Sequence, residues 1–261
     1  MPAPPPGPSI GFDAVAVTYP GGVRAVDGVS LTVAGGSFVA LVGQSGSGKS
    51  TLLKTINRLV APTAGCVTID GVDVADGAAH LLRRRIGYVF QNVGLFPHMS
   101  VGENIAIGLR LAGRRADGRV AELLALVDLP PDLARRMPDA LSGGQRQRVG
   151  VARALATEPR LMLMDEPFGA LDPVTRDALG TSIRALHDRL GLTTVMVTHD
   201  MAEALLIADR VLVMRGGSVV ADETPAALIA GAGGADAAAL VAVPRAQAQR
   251  LAALSAPAAG A

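Results

Sequence analysis

Residues 37–51, SFVALVGQSGSGKST, constrain the fold of this chain more than any other stretch. SFVALV is a short, unbroken apolar run, the pattern of a strand covered on both faces, as in a parallel sheet flanked by helices. GQSGSGKST (residues 43–51) then satisfies G-x4-G-K-[ST] and leads into a helical pattern from residue 49 to about residue 59. Strand, glycine-rich loop, helix is the order that anion binding requires. Gly43, Gln44, Ser45, Gly46, Ser47 and Gly48 let successive backbone N–H groups close round phosphate oxygens, and the helix N-terminus behind them adds its dipole. Lys49 is placed to reach β- and γ-phosphates, Ser50 to ligate Mg²⁺, and Thr51 completes the loop.

The rest of the chain repeats this alternation. CVTIDG and IGYVFQ read as strands, as do RLMLMD, TTVMVTH, RVLVMRGG and SVVAD after residue 160. Helical patterns cover residues 173–190 and 201–207 between them. Buried strands separated by helices imply a mainly parallel sheet. Ahead of it, residues 10–42 hold alternating apolar stretches broken by the glycine pairs of PGG and AGG, which predicts antiparallel strands and turns. Residues 101–156 switch to helical periodicity, interrupted at DLPPD and at a Ser-Gly-Gly step, and read as an inserted sub-domain of about residues 92–158. The expected organisation is a proline-rich flexible start (1–9), one domain over 10–230, and an Ala/Gly-rich tail over 231–261.

Bulk properties exclude several classes. The 261 residues can bury one full core, and a net charge of +1 creates no global field toward nucleic acid. Arginine runs at 83–85, 114–115 and 135–136 are scattered and lack interleaved aromatics, so they read as solvated faces and no nucleic-acid partner is expected. Although 49% of residues are apolar, the runs fall short of the roughly 18 needed to span a bilayer. The longest candidate, residues 225–243, is alanine and glycine with Asp236 inside, and reads as a surface segment. The start MPAPPPGPS has neither the basic nor the apolar region of a signal peptide. The single cysteine, Cys66, allows no internal disulfide and fits a reducing cytosol. His80, His98 and His187 show no ligand spacing, so no zinc-type site is expected.

LMLMDEP (residues 161–167) is an apolar strand ending in two acids. Asp165 at the strand end can hold Mg²⁺, and Glu166 can polarise a water attacking a γ-phosphate, help that contributes roughly 10²–10⁴-fold. LSGGQRQRVGVARAL (residues 141–155) sets a flexible Ser-Gly-Gly step before a helix and offers no group for its own phosphate loop.

Taken together, GQSGSGKST, Gln91 after IGYVF, LSGGQ, LMLMDEP, ALD and TH resemble, in order and spacing, the ATP-binding cassette (ABC) ATPases over roughly residues 10–225. The resemblance implies an α/β fold: a P-loop NTPase with a central, mainly parallel sheet, an N-terminal antiparallel β sub-domain and an inserted helical sub-domain. It implies ATP and Mg²⁺ as cofactors and ATP hydrolysis coupled to transport as the activity. Gln91 would sense γ-phosphate and metal, His199 would be the switch histidine, Asp172 would communicate across a dimer, and Tyr19 would stack on adenine. Ser142, Gly143, Gly144 and Gln145 would face the γ-phosphate held by a second subunit, so hydrolysis would require a head-to-tail homodimer or pseudo-dimer.

A lone cassette resembles the ATPase subunit of a bacterial importer, peripheral on the cytoplasmic side of the inner membrane. GLFPHMSVGENIA (residues 94–106) lies where a permease would dock. KTINRLVAPTAG, IGYVFQNVGLFPHM and RQRVGVARAL most resemble ATPases of quaternary-amine osmoprotectant uptake (glycine betaine, choline, carnitine). Amino-acid, methionine and polyamine importers share parts of these strings and remain alternatives, as does a non-transport cassette acting on nucleic acid or in assembly. The solute would be recognised by a separate extracytoplasmic binding protein, because an aromatic cage for an ammonium needs aromatics that this chain largely lacks, at 3%. Many osmoprotectant ATPases carry regulatory domains after the cassette, and the short Ala/Gly tail departs from that pattern.

Overall fold

The computed structural model describes residues 5–169 and 171–255. Ala170 of the ALD stretch, residues 1–4 of the proline-rich start and residues 256–261 of the tail lie outside them.

Among the described residues the strands form two sheets. The smaller has the order β2-β1-β4-β5, built from β1 (Ile10–Thr18), β2 (Arg24–Val33), β4 (Ala64–Ile69) and β5 (Val72–Asp73), all antiparallel. The larger has the order β10-β9-β3-β8-β7-β6. There β3 (Phe38–Val42), β6 (Ile86–Val89), β7 (Leu161–Asp165), β8 (Thr193–Val197) and β9 (Arg210–Arg215) run parallel, and only β10 (Ser218–Glu223) is antiparallel. Every residue of β3, β7 and β8 is buried, which is why their sequences read as unbroken apolar runs.

Strand alternation divides the interior into two cores. Phe38, Ala40, Val42, Met162, Met164 and Met196 belong to one core, which also holds Ile105, Leu109, Leu123 and Leu124 of the insertion and Leu179, Ile183 and Met201 beyond it. Val39, Leu41, Leu163, Val195 and Val197 face the opposite side, with Leu52, Leu53 and Ile56 of α1 (Lys49–Ile56) and with Ile10, Val15 and Val26 of the small sheet. Each such side chain contributes roughly 1.5–3 kcal/mol of burial free energy. The large sheet is thus a plate clamped from both faces, and its strand ends are fixed points for a site.

The short α2 (Ala79–Arg84) precedes β6. The insertion consists of α3 (Val101–Leu111), α4 (Arg119–Leu126) and α5 (Gly143–Leu155), with DLPPD leading into the 3-10 turn Pro131–Arg135. Ser100 and Ser142 begin α3 and α5 with reciprocal capping boxes to Glu103 and Gln145, a device that contributes about 1 kcal/mol. The buried Asn104 amide donates to the carbonyls of Phe96, Met99 and Ser100, pinning the FPHMS loop in front of α3. α6 (Pro173–Leu190) and α7 (Met201–Ile207) coincide with the helices read from the sequence, each capped by the aspartate before it.

Both chain ends hold structure that composition alone does not single out. Pro5 to Ser9 lie against the core: the Gly7 N–H donates to the Gly191 carbonyl at 2.7 Å, and Thr193 Oγ1 to that of Pro8 at 2.7 Å. The Ala/Gly-rich tail contains a helix, α9 (Gly234–Ser255), which follows α8 (Pro225–Ile229). α9 packs on α7 and β10 through the buried Ala237 and Val241, and Arg215 holds Asp236 at 2.7 Å. Alanine carries too little apolar contrast to reveal that face in sequence. Among the described residues no helix is long and apolar enough to cross a membrane.

Candidate functional site

The candidate site lies at the carboxyl ends of the parallel strands, where open α/β sheets bind ligands. Register sets it up. Val197 pairs with both Leu41 and Asp165, and Val89 pairs with Met164. The chain therefore leaves β3, β8, β7 and β6 at one level, delivering the phosphate loop, His199, Asp165–Glu166 and Gln91 to a common edge.

Gly43, Gly46 and Gly48 have φ of 149°, 78° and 101°. A Cβ on Gly43 would stand 2.2 Å from the Met214 carbonyl oxygen, and one on Gly48 2.1 Å from that of Ala25, so both approaches exclude any side chain. Gln44, Ser45 and Gly46 are exposed on the loop, while Ser47 is buried. The Lys49 ammonium donates to the carbonyls of Gly43 and Gln44, both at 2.8 Å. Burial pushes its pKa below the ordinary lysine value, and the carboxylates of Glu166 and Asp165 oppose that shift. Tyr19, 40% exposed, sets its hydroxyl 3.2 Å from Thr51 Oγ1, leaving ring surface open beside the start of α1.

Asp165 is buried and fully engaged. Ser50 Oγ donates to its Oδ1 at 2.7 Å, and its Oδ2 meets Lys54 Nζ at 3.1 Å and the Tyr88 hydroxyl at 3.4 Å. Burial, more than the adjacent carboxylate, pushes the Tyr88 phenol far above its ordinary range, so it acts as a neutral donor. A hydroxyl and a carboxylate oxygen 2.7 Å apart suit neighbouring positions on a hard cation whose bonds are about 2.0–2.1 Å long, the donor set and size that Mg²⁺ prefers. Among the described residues no group of three or more His, Cys, Asp or Glu could hold a softer metal.

Glu166 is left-handed, with φ 46°, rare for a side-chain-bearing residue and costing on the order of 1–3 kcal/mol. Its N–H donates to the Val197 carbonyl at 3.0 Å, which locks the turn. The carboxylate sits between two exposed side chains: Gln91 Nε2 donates to Oε2 at 3.0 Å, and His199 Nδ1 lies 3.4 Å from the same oxygen. Glu166, Gln91 and His199, far apart in sequence, thus form one constellation beside Lys49, Ser50 and Asp165.

Ser142, Gly143, Gly144 and Gln145 are placed differently. Their side-chain hydrogen bonds close within the first turn of α5, where Ser142 Oγ accepts from Gln145 N–H and Gln145 Oε1 from Ser142 N–H. Ser142 is exposed at the helix N-terminus, and Gly144 lies against Thr175 of α6. Asp172 caps α6 by accepting from the Thr175 N–H at 3.0 Å. Sequence reasoning missed Lys54 and Tyr88 as partners of Asp165. A basic residue one helical turn beyond Ser50, on the same face of α1, is the signal that could have found Lys54.

The model of the ABC transporter family matches residues 26–169. The choline transport ATP-binding protein OpuBA of Bacillus subtilis is 50% identical over 214 residues, 81% of this chain and 56% of that protein. The sulfate/thiosulfate import ATP-binding protein CysA of Rhodopseudomonas palustris is 51% identical over 207 residues, 76% of this chain and 58% of that one. The chain thus spans little more than half the length of these curated relatives. Among solved structures, the dimeric post-hydrolysis state of the ATP-binding cassette MJ0796 bound to ADP and Pi superposes with a TM-score of 0.76 at 36% identity, covering 83% of this chain and 98% of that one. The α/β architecture expected from the phosphate loop is therefore that of an ATP-binding cassette, and the chain belongs to the ABC transporter family.

Proposed function

We propose that this chain is the ATP-hydrolysing subunit of a bacterial importer, working as a head-to-tail homodimer or pseudo-dimer around two ATP·Mg²⁺. The observation that carries this reading is the Gln91–Glu166–His199 constellation at 3.0 and 3.4 Å, beside the Lys49 loop. Lys49 would exchange its carbonyl partners for β- and γ-phosphate oxygens. Ser50, Asp165 and the Gln91 amide oxygen would hold Mg²⁺, which when bound neutralises charge on the phosphates. Glu166 Oε2 would accept a proton from the attacking water, and His199 would steady the γ-phosphate. Tyr19 would stack on adenine, and the N-terminus of α5 at Ser142–Gln145 would complete the partner's site, with Asp172 meeting the partner across the interface.

The dimeric neighbour bound to ADP and Pi supports the dimer and the nucleotide. A permease would dock on the loop that Asn104 pins, where Phe96 is exposed, placing the chain peripherally on the cytoplasmic side of the inner membrane. The choline-transport relative favours a quaternary-amine solute, which an extracytoplasmic binding protein would deliver. The sulfate/thiosulfate relative, equally identical over a slightly shorter stretch, favours a small anion as the second reading. Measuring which solute the cognate binding protein retains separates the two. The ATPase reading itself is tested with Glu166→Gln: ATP binding should persist, turnover should fall at least about 100-fold and an ATP-bound dimer should accumulate. Hydrolysis at the normal rate would remove Glu166 as the base.

A further inference from the structure

Arg176, on the first turns of α6, is a hub that none of the motifs predicts. Its Nη2 donates to the Leu171 carbonyl at 3.1 Å, just ahead of the Asp172 cap. Its Nη1 lies 3.4 Å from Asp200 Oδ2, and its Nε 3.5 Å from Glu203 Oε1. Asp200 and Glu203 belong to the start of α7, immediately after His199. Glu203 in turn accepts a 2.5 Å hydrogen bond from Thr198 Oγ1, and that same oxygen accepts from the Asp200 N–H at 3.0 Å. Thr198 is buried, and the Glu203 side chain is only 12% exposed. The turn carrying His199 is therefore gripped on both sides by groups that Arg176 holds from behind.

The geometry points to Arg176 as a positioning residue: it ties the loop before Asp172 to the turn that presents His199, so that displacement of either is felt at the other. A guanidinium is suited to this, because its planar fork hydrogen-bonds the Leu171 carbonyl and the Asp200 carboxylate at once while its charge lies 3.5 Å from Glu203, where a lysine could serve one oxygen at a time. Arg176 reaches neither Glu166 nor the phosphate loop in any contact of this structure, so its effect on the chemistry passes through His199. The inference rests on the reading of Glu166 and His199 as the hydrolytic pair, yet the link between Arg176 and His199 is measurable without turnover.

The test uses imidazole NMR of the full chain, whose four histidines are resolvable and assignable by single substitution. Arg176→Met should shift the ring signals of His199. It should leave those of His187, which sits farther along the same helix, buried and 2.9 Å from Thr194 Oγ1. In turnover assays kcat should fall about 10- to 100-fold with KM for ATP little changed, as for a misplaced catalytic group. Glu203→Leu, which removes the carboxylate that accepts from Thr198 and faces Arg176, should move His199 as well, and it serves as the test if Arg176→Met does not fold. An unmoved His199, a His187 shift of equal size, or an unchanged kcat would each overturn the proposal. Failure of the ATPase reading shows separately, as Glu166→Gln hydrolysing ATP normally.

Discussion

Lys54 Nζ stands 3.1 Å from Oδ2 of Asp165, a carboxylate whose side chain is only 5% exposed. Its other oxygen takes the Ser50 hydroxyl, so Lys54 is the cation in direct contact with this acid, with the Lys49 charge nearby. Removing one partner of such a pair leaves a buried charge short of a donor. Lys54 is 36% exposed, which screens the pair, so Lys54→Met should cost about 1–3 kcal/mol in urea unfolding, below the figure for a fully buried pair. Saturating Mg²⁺ and ATP should narrow the gap, because the metal supplies the missing charge. A gap unchanged by Mg²⁺·ATP would place the metal away from Asp165.

Lys49 is held ready by carbonyl oxygens of its own loop and is buried enough that its charge costs free energy. Phosphate oxygens would offset that cost. Lys49→Ala should therefore weaken nucleotide binding about 10- to 100-fold, the equivalent of one charge-assisted contact. Equilibrium titration with a fluorescent ATP analogue measures it, and normal affinity would refute the phosphate-loop assignment.

The gathering of the candidate site residues at the strand ends was legible in sequence because each piece is local. Gly43–Thr51, Asp165–Glu166 and His199 each sit within a few residues of the apolar run that carries them. The positioning groups were not legible, because their partners come from elsewhere in the chain. Tyr88 meets Asp165 across 77 residues, and Arg176 meets Asp200 across 24 with no periodic pattern between them. The docking of α9 was hidden for a different reason. Its buried face is alanine and valine, and only contact with α7 and β10 distinguishes that face from a low-complexity tail.

Gly144 tests how α5 seats on α6. A Cβ there would stand 2.4 Å from Thr175 Cγ2, while the other Thr175 atoms are at 3.7 Å or beyond. The β-branched side chain cannot swing clear without disturbing the Asp172 cap it follows. Gly144→Ala should destabilise the protein by about 1–3 kcal/mol through overpacking. Adding Thr175→Ser removes the offending methyl, and the double variant should recover at least wild-type stability, since alanine favours a helix by roughly 1 kcal/mol over glycine. Additive losses in thermal unfolding would show that the strain lies elsewhere.

Asp172 supplies a pH signature at the start of α6. Hydrogen bonds from Thr175, first its side chain and then its N–H, hold the Asp172 carboxyl below the usual carboxylate range. Because the folded pKa is depressed, the ionised cap adds stability above the unfolded value of about 3.9, and that contribution is lost as pH falls through the folded pKa. Asparagine keeps the capping geometry without the charge. The melting temperature of Asp172→Asn should therefore lie below that of the native chain at pH 6–7, with the difference shrinking toward zero as pH drops below 4. A difference that stayed constant from pH 7 to pH 3 would mean that the Asp172 charge does not stabilise the helix start.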